Sequence, residues 1–186
     1  MALPQIKQDA TEVRLAALDL PKGGWAQAAR EDALARVRAM GLPSGRDEYW
    51  KYTRPDTLVQ PDAPKASLLE TDETLIFDEV DRLKIVFVDG VFSAAESDDL
   101  AMEHVSIDRL ADAPDIHWAK DHYGVLETRG QTPVQRPLAT LNTAFATDGL
   151  LIQVTGKAPK PISVIYRHES EVSDAILHHV VKIENG

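Results

Sequence analysis

Apolar residues in the first third of the chain recur at the spacing of a helix. Residues 25–40 carry small and apolar side chains separated by three or four positions, namely Ala26, Ala29, Ala33, Val37 and Met40. This spacing places them on one face of an amphipathic helix. Gly41 follows where a C-terminal cap glycine belongs. The pattern also predicts a helix over 11–20 and a short helix over 46–50 that Ser44 would cap.

The middle of the chain changes from helical to strand patterns. Residues 54–66 contain three prolines and are predicted to form an extended connector. Short β-branched runs at 75–77 and 84–88 predict strands, and the Asp89-Gly90 pair after the second run predicts a tight turn. A further short strand is predicted over 103–107.

The last part of the chain is dominated by alternation of apolar and polar residues. A helical stripe over 135–147 ends at an Asp-Gly pair, and alternating segments follow at 150–155, 162–167 and 177–183. A period of two predicts three half-buried strands. The chain stops directly after the third, and a final strand without a following element leaves an unpaired edge. We therefore expect the chain to be a piece, or a truncated form, of a longer protein.

Composition narrows the class of protein. The chain has 186 residues and a net charge of −10, and residues 61–115 carry 15 Asp or Glu against 4 Lys or Arg. Such a segment keeps a surface solvated and repels phosphate backbones, so we expect no nucleic-acid partner. No apolar run approaches the length of a membrane helix. The absence of cysteine excludes disulfides and thiolate ligands for zinc or an iron–sulfur cluster, and a reduced, cytoplasmic location is predicted.

The histidines are the first candidates for a metal site. His168 precedes Glu169, and His178 and His179 are adjacent. Neighbours on a strand point to opposite faces, so the adjacent pair cannot ligate one ion without distorting the strand. The ligand spacing of the recognised zinc sites is also absent. We predict no metal site, and we predict that His179 is a hydrogen-bonded interior or interface histidine.

Other residue patterns also fail to predict catalysis. Carboxylate pairs such as Asp98-Asp99 or Glu169 with Glu171 serve acid–base chemistry only within a cleft that shifts their pKa values. Ser163 and Ser173 lack the Gly-x-Ser-x-Gly context of a nucleophile elbow. Gly23-Gly24 lacks the Walker and Gly-x-Gly-x-x-Gly patterns. The sequence therefore predicts a protein that is not an enzyme, with no catalytic, cofactor-binding or metal-binding residue.

Trp50 and Tyr52 are the best candidates for a binding role. Large aromatic side chains are favoured both in protein cores and at the energetic centres of interfaces. One interpretation is that Trp50 packs the helical segment onto the next element. The other is that this segment recruits a partner protein, such as an iron or sulfur donor.

Five short motifs, in order along the chain, resemble the N-terminal part of the SufB/SufD family of iron–sulfur cluster assembly proteins. The first is GLPSGRDEYWKYTRPDTL at 41–58, and the second is VFVDG at 86–90. A Leu-Asn-x-Ala segment from 141 leads to Asp-Gly at 148–149, and IQV at 152–154 and KPI at 160–162 follow. Residues 178–186 resemble the family's strand leading into Glu-Asn-Gly. The opening motif is similar to the SufD branch of the family, although Ser44-Gly45 stands where that branch has Thr-Arg.

The resemblance implies an α+β architecture in three segments. Residues 1–66 would form a helical segment with a linker, 67–149 a connecting α/β region, and 150–186 the first rungs of a right-handed parallel β-helix. A β-helix buries its core by stacking rungs, so a truncated one has an open end. We therefore expect self-association through the strands at 150–155, 162–167 and 177–183.

The resemblance also implies a function. The family member would be a non-catalytic scaffold subunit of the SufBCD complex that pairs with SufB and works with the SufC ATPase. The docking site for SufC and the cluster-building residues would lie beyond residue 186, so the full complex handles the Fe–S cluster and this chain binds none.

A different class stays open as the alternative. Parallel β-helices also form carbohydrate-binding modules and polysaccharide-active enzymes, and fold alone does not decide function. Carbohydrate sites usually show clustered exposed aromatic residues, whereas the strand region of this chain offers only Tyr166.

Overall fold

The computed structural model describes residues 3–62, 65, 67–68, 76–113 and 118–184. The chain has an α+β fold, in which helices are followed by small mixed sheets. Contacts group it into two compact units, one of Met1–Pro64 with Ala113–Thr147 and the other of Lys65–Asp112 with Asp148–Gly186. The boundaries of the three segments, placed at residues 66 and 149 in the sequence analysis, stay a prediction.

The first unit is helical. Its α-helices are α1 (Gln5–Ala16), α2 (Gln27–Met40), α3 (Asp56–Val59), α4 (Val125–Arg129) and α5 (Pro137–Phe145), with 3₁₀ turns at Glu48–Trp50 and Trp118–Asp121. Helix α2 packs against α5, and the side chains of Ala33, Val37, Leu141 and Ala144 are buried. Gly41 ends α2 with φ 66°, and its N–H donates to the carbonyl of Val37 over 2.8 Å. The predicted helix and its glycine cap are confirmed.

Three local predictions in this unit are wrong in detail. The first helix runs over Gln5–Ala16 instead of 11–20, because Pro4 initiates it and its carbonyl accepts from the N–H groups of Lys7 and Gln8. The short helix over 46–50 is a 3₁₀ turn, and Ser44 does not cap it with its side chain. Its backbone N–H donates to the Asp47 carboxylate instead. The connector at 54–66 contains the short helix α3.

The second unit contains two three-stranded sheets. Its strands are β1 (Leu83–Val88), β2 (Val91–Phe92), β3 (Val105–Arg109), β4 (Leu150–Val154), β5 (Ile162–Arg167) and β6 (Val180–Ile183). One sheet has the order β2-β1-β5 and the other the order β3-β4-β6. The pairs β1–β5 and β4–β6 are parallel, whereas β1–β2 and β3–β4 are antiparallel. Within the described residues these strands form no closed solenoid.

Alternate side chains of three strands form the core of this unit. The buried cluster takes Leu83, Ile85 and Phe87 from β1, Val105 and Ile107 from β3, and Leu150 and Ile152 from β4. The period of two along each strand produces this arrangement, because residues i and i+2 share a face. The predicted strands at 150–155 and 162–167 are confirmed, and the strand predicted over 177–183 begins later, at Val180.

The two predicted features around β1 have opposite outcomes. The Asp-Gly turn is confirmed, since Asp89 and Gly90 have φ of 50° and 81° and connect the antiparallel pair β1–β2. In the strand predicted at 75–77, Leu75 lies outside the described residues, and Ile76 and Phe77 belong to a turn. The buried guanidinium of Arg82 holds this turn by donating to the carbonyl of Ile76 and to the Asp78 carboxylate. These two contacts hold Ile76 and Phe77 in a turn despite the β propensity of their side chains.

The start of β4 is fixed by Asp148 and Gly149. The Asp148 carboxylate accepts from the N–H groups of Gly149 and Ala111, at 2.8 and 3.2 Å, and from the Arg109 guanidinium at 2.5 and 3.0 Å. At Gly149 the backbone of His178 comes so close that an added Cβ would lie far nearer to its carbonyl oxygen than van der Waals contact allows. Only glycine fits there.

The close approach at Gly149 predicts a strong effect of one methyl group. Gly149→Ala should lower the free energy of unfolding by about 3 kcal/mol, because a backbone carbonyl, unlike a flexible side chain, must move away. The measurement is urea unfolding followed by circular dichroism. Gly45→Ala is the matched control, since an added Cβ there meets nothing within 4 Å, and it should change the free energy by less than about 0.5 kcal/mol. Equal stability of the two variants would contradict the packing described.

Candidate functional site

The helical unit contains a two-part groove, which we call the Trp50 groove. It consists of two adjoining clefts of about 750 and 610 Å³, and Lys7, Met40, Asp47 and Gln135 line both. The first cleft has aromatic and apolar walls formed by Tyr49, Trp50, Pro133, Val134 and Pro137. The second is lined mainly by apolar residues of the N-terminal segment and of the Gly-Leu-Pro run, including Leu3, Ile6, Ala10 and Leu42.

Contacts between α1 and the segment after α2 build the floor of this groove. The buried hydroxyl of Thr11 donates to the carbonyl of Lys7 over 2.8 Å and accepts from the N–H of Leu42 over 2.9 Å. Beside it, a Cβ on Gly41 would lie 2.9 Å from the side chain of Lys7. Glycine at this position therefore both caps α2 and leaves room for the lysine side chain.

An ion pair crosses the floor of the groove. The ammonium of Lys7 lies 2.9 Å from a carboxylate oxygen of Asp47, and the same oxygen accepts from the N–H of Ser44 over 2.9 Å. Burial alone would raise the pKa of Asp47, but the hydrogen bonds from Lys7 and Ser44 outweigh it and hold the pKa below 3.8. The two charges neutralise each other within the groove.

The two aromatic candidates take different positions relative to the groove. Trp50 is half-buried and lines the first cleft, beside the exposed ring of Tyr49. Tyr52 is 91% exposed, does not line either cleft, and has the Lys51 ammonium 5.4 Å from its ring centroid. The structure thus associates Trp50 with a cavity and leaves Tyr52 on the surface.

The sequence did not identify the residues that complete the groove. Lys7, Asp47 and Gln135 come from three separate parts of the chain, and no local pattern connects them. In the sequence, the run Gly41-Leu-Pro indicated only that a helix ends there. Its second role, the passage of the Lys7 side chain over Gly41, depends on contacts between segments.

In the strand-rich unit, His179 is part of a network of hydrogen bonds. Its Nδ1 accepts from the N–H of Leu150 over 2.8 Å, so the neutral imidazole carries its proton on Nε2 and donates to the Tyr166 hydroxyl over 2.7 Å. The ring of Phe87 contacts both side chains, with centroids 6.0 Å from Tyr166 and 5.9 Å from His179. This matches the predicted hydrogen-bonded interior histidine.

Burial shifts the pKa values of this pair in opposite directions. It lowers the pKa of His179 below 6.5, against the opposing effect of the Asp148 carboxylate, because the charged imidazolium loses hydration. It raises the pKa of Tyr166 above 10.0, since the phenolate is likewise disfavoured. Both groups are therefore neutral near pH 7 and serve as hydrogen-bonding groups of the fold.

A Ser-His-Asp trio near β5 lacks the geometry of a catalytic triad. The Ser173 hydroxyl and the Asp89 carboxylate lie 3.1 and 3.7 Å from His168, and both approach the same nitrogen, Nδ1. A triad uses one imidazole nitrogen for the hydroxyl and the other for the carboxylate. Asp89 instead accepts from the N–H groups of Glu169 and Ser170. Burial alone would raise the pKa of Asp89, but these bonds and a hydrogen bond from the Ser173 side chain hold the pKa below 3.8. The two backbone bonds also fix the turn after β5.

The carboxylate pairs also have structural partners. Asp98 accepts from the N–H of Lys84 over 2.7 Å, and Asp99 accepts from that of Ala101 over 3.1 Å. Glu169 pairs with Arg167, and Glu171 lies 3.7 Å from Lys65. Among the residues that the structure describes, no group of three His, Asp or Glu side chains is placed to hold a metal ion.

A family comparison adds to this geometry. The model of the family described as SufBD protein N-terminal region matches residues 18–164 of the chain. The chain therefore belongs to the SufB/SufD family, in its N-terminal region, and this membership connects it with the Suf system of iron–sulfur cluster assembly. No curated protein matches it. None of the helices in the described ranges has the length and apolar character needed to cross a membrane.

The His179 network predicts a pH-dependent stability. With a folded pKa below the unfolded value of about 6.5, His179 contributes stability that is fully present above pH 6.5 and is lost as pH falls through the folded pKa. Urea unfolding of the unsubstituted chain from pH 8 to pH 5 should show this decline.

His179→Ala should flatten the decline and lower stability at pH 8 by about 1–3 kcal/mol, because the N–H of Leu150 loses its acceptor. The control is His104→Ala, which removes an exposed histidine outside this network, so the decline caused by His179 should remain. A decline that persists in the His179 variant would show that other groups cause it.

Proposed function

We propose that this chain is the N-terminal part of a non-catalytic scaffold subunit, of the SufD type, in the SufBCD complex. It would pair with SufB and work with the SufC ATPase, and the cluster would be handled by the assembled complex. Family membership and the opening motif around Trp50 support this proposal. The cytoplasmic location, the lack of enzymatic activity and the lack of a bound cofactor belong to the same proposal.

The path of the chain through the two sheets supports a β-helix as the architecture of the scaffold. Strand β4 lies in one sheet, β5 in the other, and β6 returns to the first sheet, parallel to β4. A chain that winds around a solenoid makes this alternation, with each coil adding one strand to each sheet. We therefore propose that β4, β5 and β6 are the first rungs of the right-handed parallel β-helix.

The observation that carries the scaffold proposal is an uncovered interior face. The register pairs Val181 with Ile152 and Ile183 with Val154, so all four face the same side of their sheet. Ile152 is buried in the core, whereas Val181 and Ile183 are 59% and 68% exposed. An apolar face that continues a core is typical of a surface covered by further protein.

In the part of the chain that the structure describes, the strand pairing shows which of the three predicted strands have a free edge for self-association. Strand β4 is paired on both sides, by β3 and β6, and offers no edge. In the described residues, β5 is paired only with β1 and β6 only with β4. We propose that association occurs through β5 and β6, whose unpaired N–H and C=O groups are a template for another strand.

Size-exclusion chromatography with light scattering tests this association. The chain should form a dimer or larger species whose fraction rises with concentration, and Val181→Lys with Ile183→Lys should return it to the monomer. Val91→Lys is the matched control, because Val91 is a 68% exposed strand residue of β2, away from the proposed edges. A monomer at high concentration, or an unchanged dimer in the double variant, would contradict the proposal.

Co-purification tests the function itself. The natural protein, expressed with the SufB and SufC homologues of its source, should purify with both of them. The rival assignment, a β-helix carbohydrate-binding module or polysaccharide-active enzyme, predicts instead activity on or binding to polysaccharides without these partners. That result, with no co-purification, would reverse the order of the two assignments.

A further inference from the structure

We propose that the Trp50 groove binds a short extended segment of another protein, one that carries proline and, within a few positions, an arginine or lysine. This goes beyond the scaffold function, and it stands or falls independently of it. The groups of the groove that have no partner among the residues the structure describes determine which ligand it fits.

The walls of the first cleft fit proline and aliphatic side chains. Tyr49, Trp50, Pro133, Val134 and Pro137 provide flat aromatic and ring surfaces, and the Tyr49 ring is 71% exposed. Aromatic-lined grooves recognise proline-containing segments because such segments hold the extended polyproline conformation before they bind. Little conformational entropy is then lost on binding.

One amide side chain of the groove, that of Gln135, is available to hydrogen-bond a ligand. Gln135 lines both clefts and is exposed, and within the described residues its amide makes no hydrogen bond. A primary amide can donate to a peptide carbonyl and accept from a peptide N–H. By contrast, the neighbouring Gln131 already bonds to Glu127, Thr140 and the N–H of Arg136.

The charge of the first cleft selects a basic ligand. Lys7 and Asp47 neutralise each other, which leaves the exposed carboxylate of Glu48 without an ion-pair partner in the described part of the chain. In the adjoining cleft the charges of Arg46 and Asp56 balance. Opposite charges across an interface steer association and fix its register, so a cation in the ligand is favoured near Glu48.

The size of the groove indicates a peptide instead of a small metabolite. The first cleft alone is about 750 Å³, and it continues into a second of about 610 Å³ through four shared residues. Pockets for small ligands measure about 300–1,000 Å³ and enclose most of the ligand. An open groove in two parts suits an extended chain that lies along it.

The test uses the whole chain, labelled with ¹⁵N, and three synthetic ten-residue peptides. The first contains alternating prolines and an arginine, the second replaces the arginine by glutamate, and the third replaces the prolines by glycine. The first should bind and shift the amide resonances of residues 40–51 and 131–136. The second and third should each bind at least about 5-fold more weakly.

Variants of exposed residues separate recognition from folding. Tyr49→Ala should weaken the first peptide at least about 10-fold, because it removes an aromatic wall. Glu48→Lys should reverse the preference between the first and second peptides. Tyr52→Ala is the matched control, since this ring is exposed outside the groove, and its affinity should equal that of the unsubstituted chain.

Four results would overturn the proposal. They are the absence of binding by the first peptide, resonance shifts confined to other residues, equal affinity for the three peptides, and an unchanged preference in Glu48→Lys. Failure here leaves the scaffold assignment intact, because that assignment is tested by co-purification with SufB and SufC homologues.

Discussion

The close approach of two backbone segments at Gly149 is the constraint on which the strand-rich unit depends. The N–H of His178 donates to the carbonyl of Asp148 over 3.1 Å, so the segment before β6 already runs beside the segment before β4. From this point the register follows, with Leu151 opposite Val180. A shift of one residue would turn every side chain of β6 to the other face, so a single glycine decides which residues continue the core.

Asp148 connects the start of β4 to β3, the strand that pairs with β4 on the side away from β6. Its carboxylate bonds to the Arg109 guanidinium at the end of β3 and to the N–H of Ala111 beyond it. Arg109 in turn lies opposite Leu150 in the antiparallel register and over the ring of Phe92, 4.6 Å from the ring centroid. A buried carboxylate is stable only when its hydrogen bonds are satisfied, and here four donors satisfy it.

Features that depend on neighbouring residues could be predicted from the sequence, whereas features that depend on contacts between distant segments could not. The helix α2, its cap at Gly41 and the turn at Asp89-Gly90 could be predicted, because each depends on residues within one turn or hairpin. The pairing of β1 with β5 could not, since the partners are far apart in the chain and both have ordinary strand patterns. At Ile76 and Phe77 a local strand pattern failed because Arg82, which is not part of the pattern, holds the backbone in a turn.

The same distinction applies to the candidate site. The sequence indicated Trp50 and Tyr52 together, and only the structure separates them, because the cleft beside Trp50 is made by Lys7 and by the loop before α5. Likewise, the sequence could predict that His179 is hydrogen-bonded. It could not name Leu150 and Tyr166 as the partners, since that requires knowing which strands are neighbours.

The polar cluster around Asp148 and His179 differs from that of the Trp50 groove in how completely its hydrogen-bonding groups are used. Around Asp148 and His179 the donors and acceptors bond to one another, and such a network stabilises a fold without attracting a ligand. In the Trp50 groove the ion pair on the floor is neutralised internally, while the side chains of Glu48 and Gln135 at the rim have no partner among the described residues. A structural cluster and a binding surface therefore differ in whether their polar groups already bond to one another, more than in whether they contain charged residues.

The exposed apolar face is too small to hold a partner tightly by hydrophobic burial alone. Complete burial of one large apolar side chain contributes about 1.5–3 kcal/mol, and the exposed set at β5 and β6 consists of Tyr166, Val181 and Ile183. Association of two proteins costs roughly 4–15 kcal/mol before any net affinity remains. Three partly exposed side chains are therefore insufficient for a tight complex, and the backbone groups of the β5 and β6 edges must also pair. A partner that supplies strands to both edges satisfies both requirements, because it covers the apolar face and the unpaired backbone together.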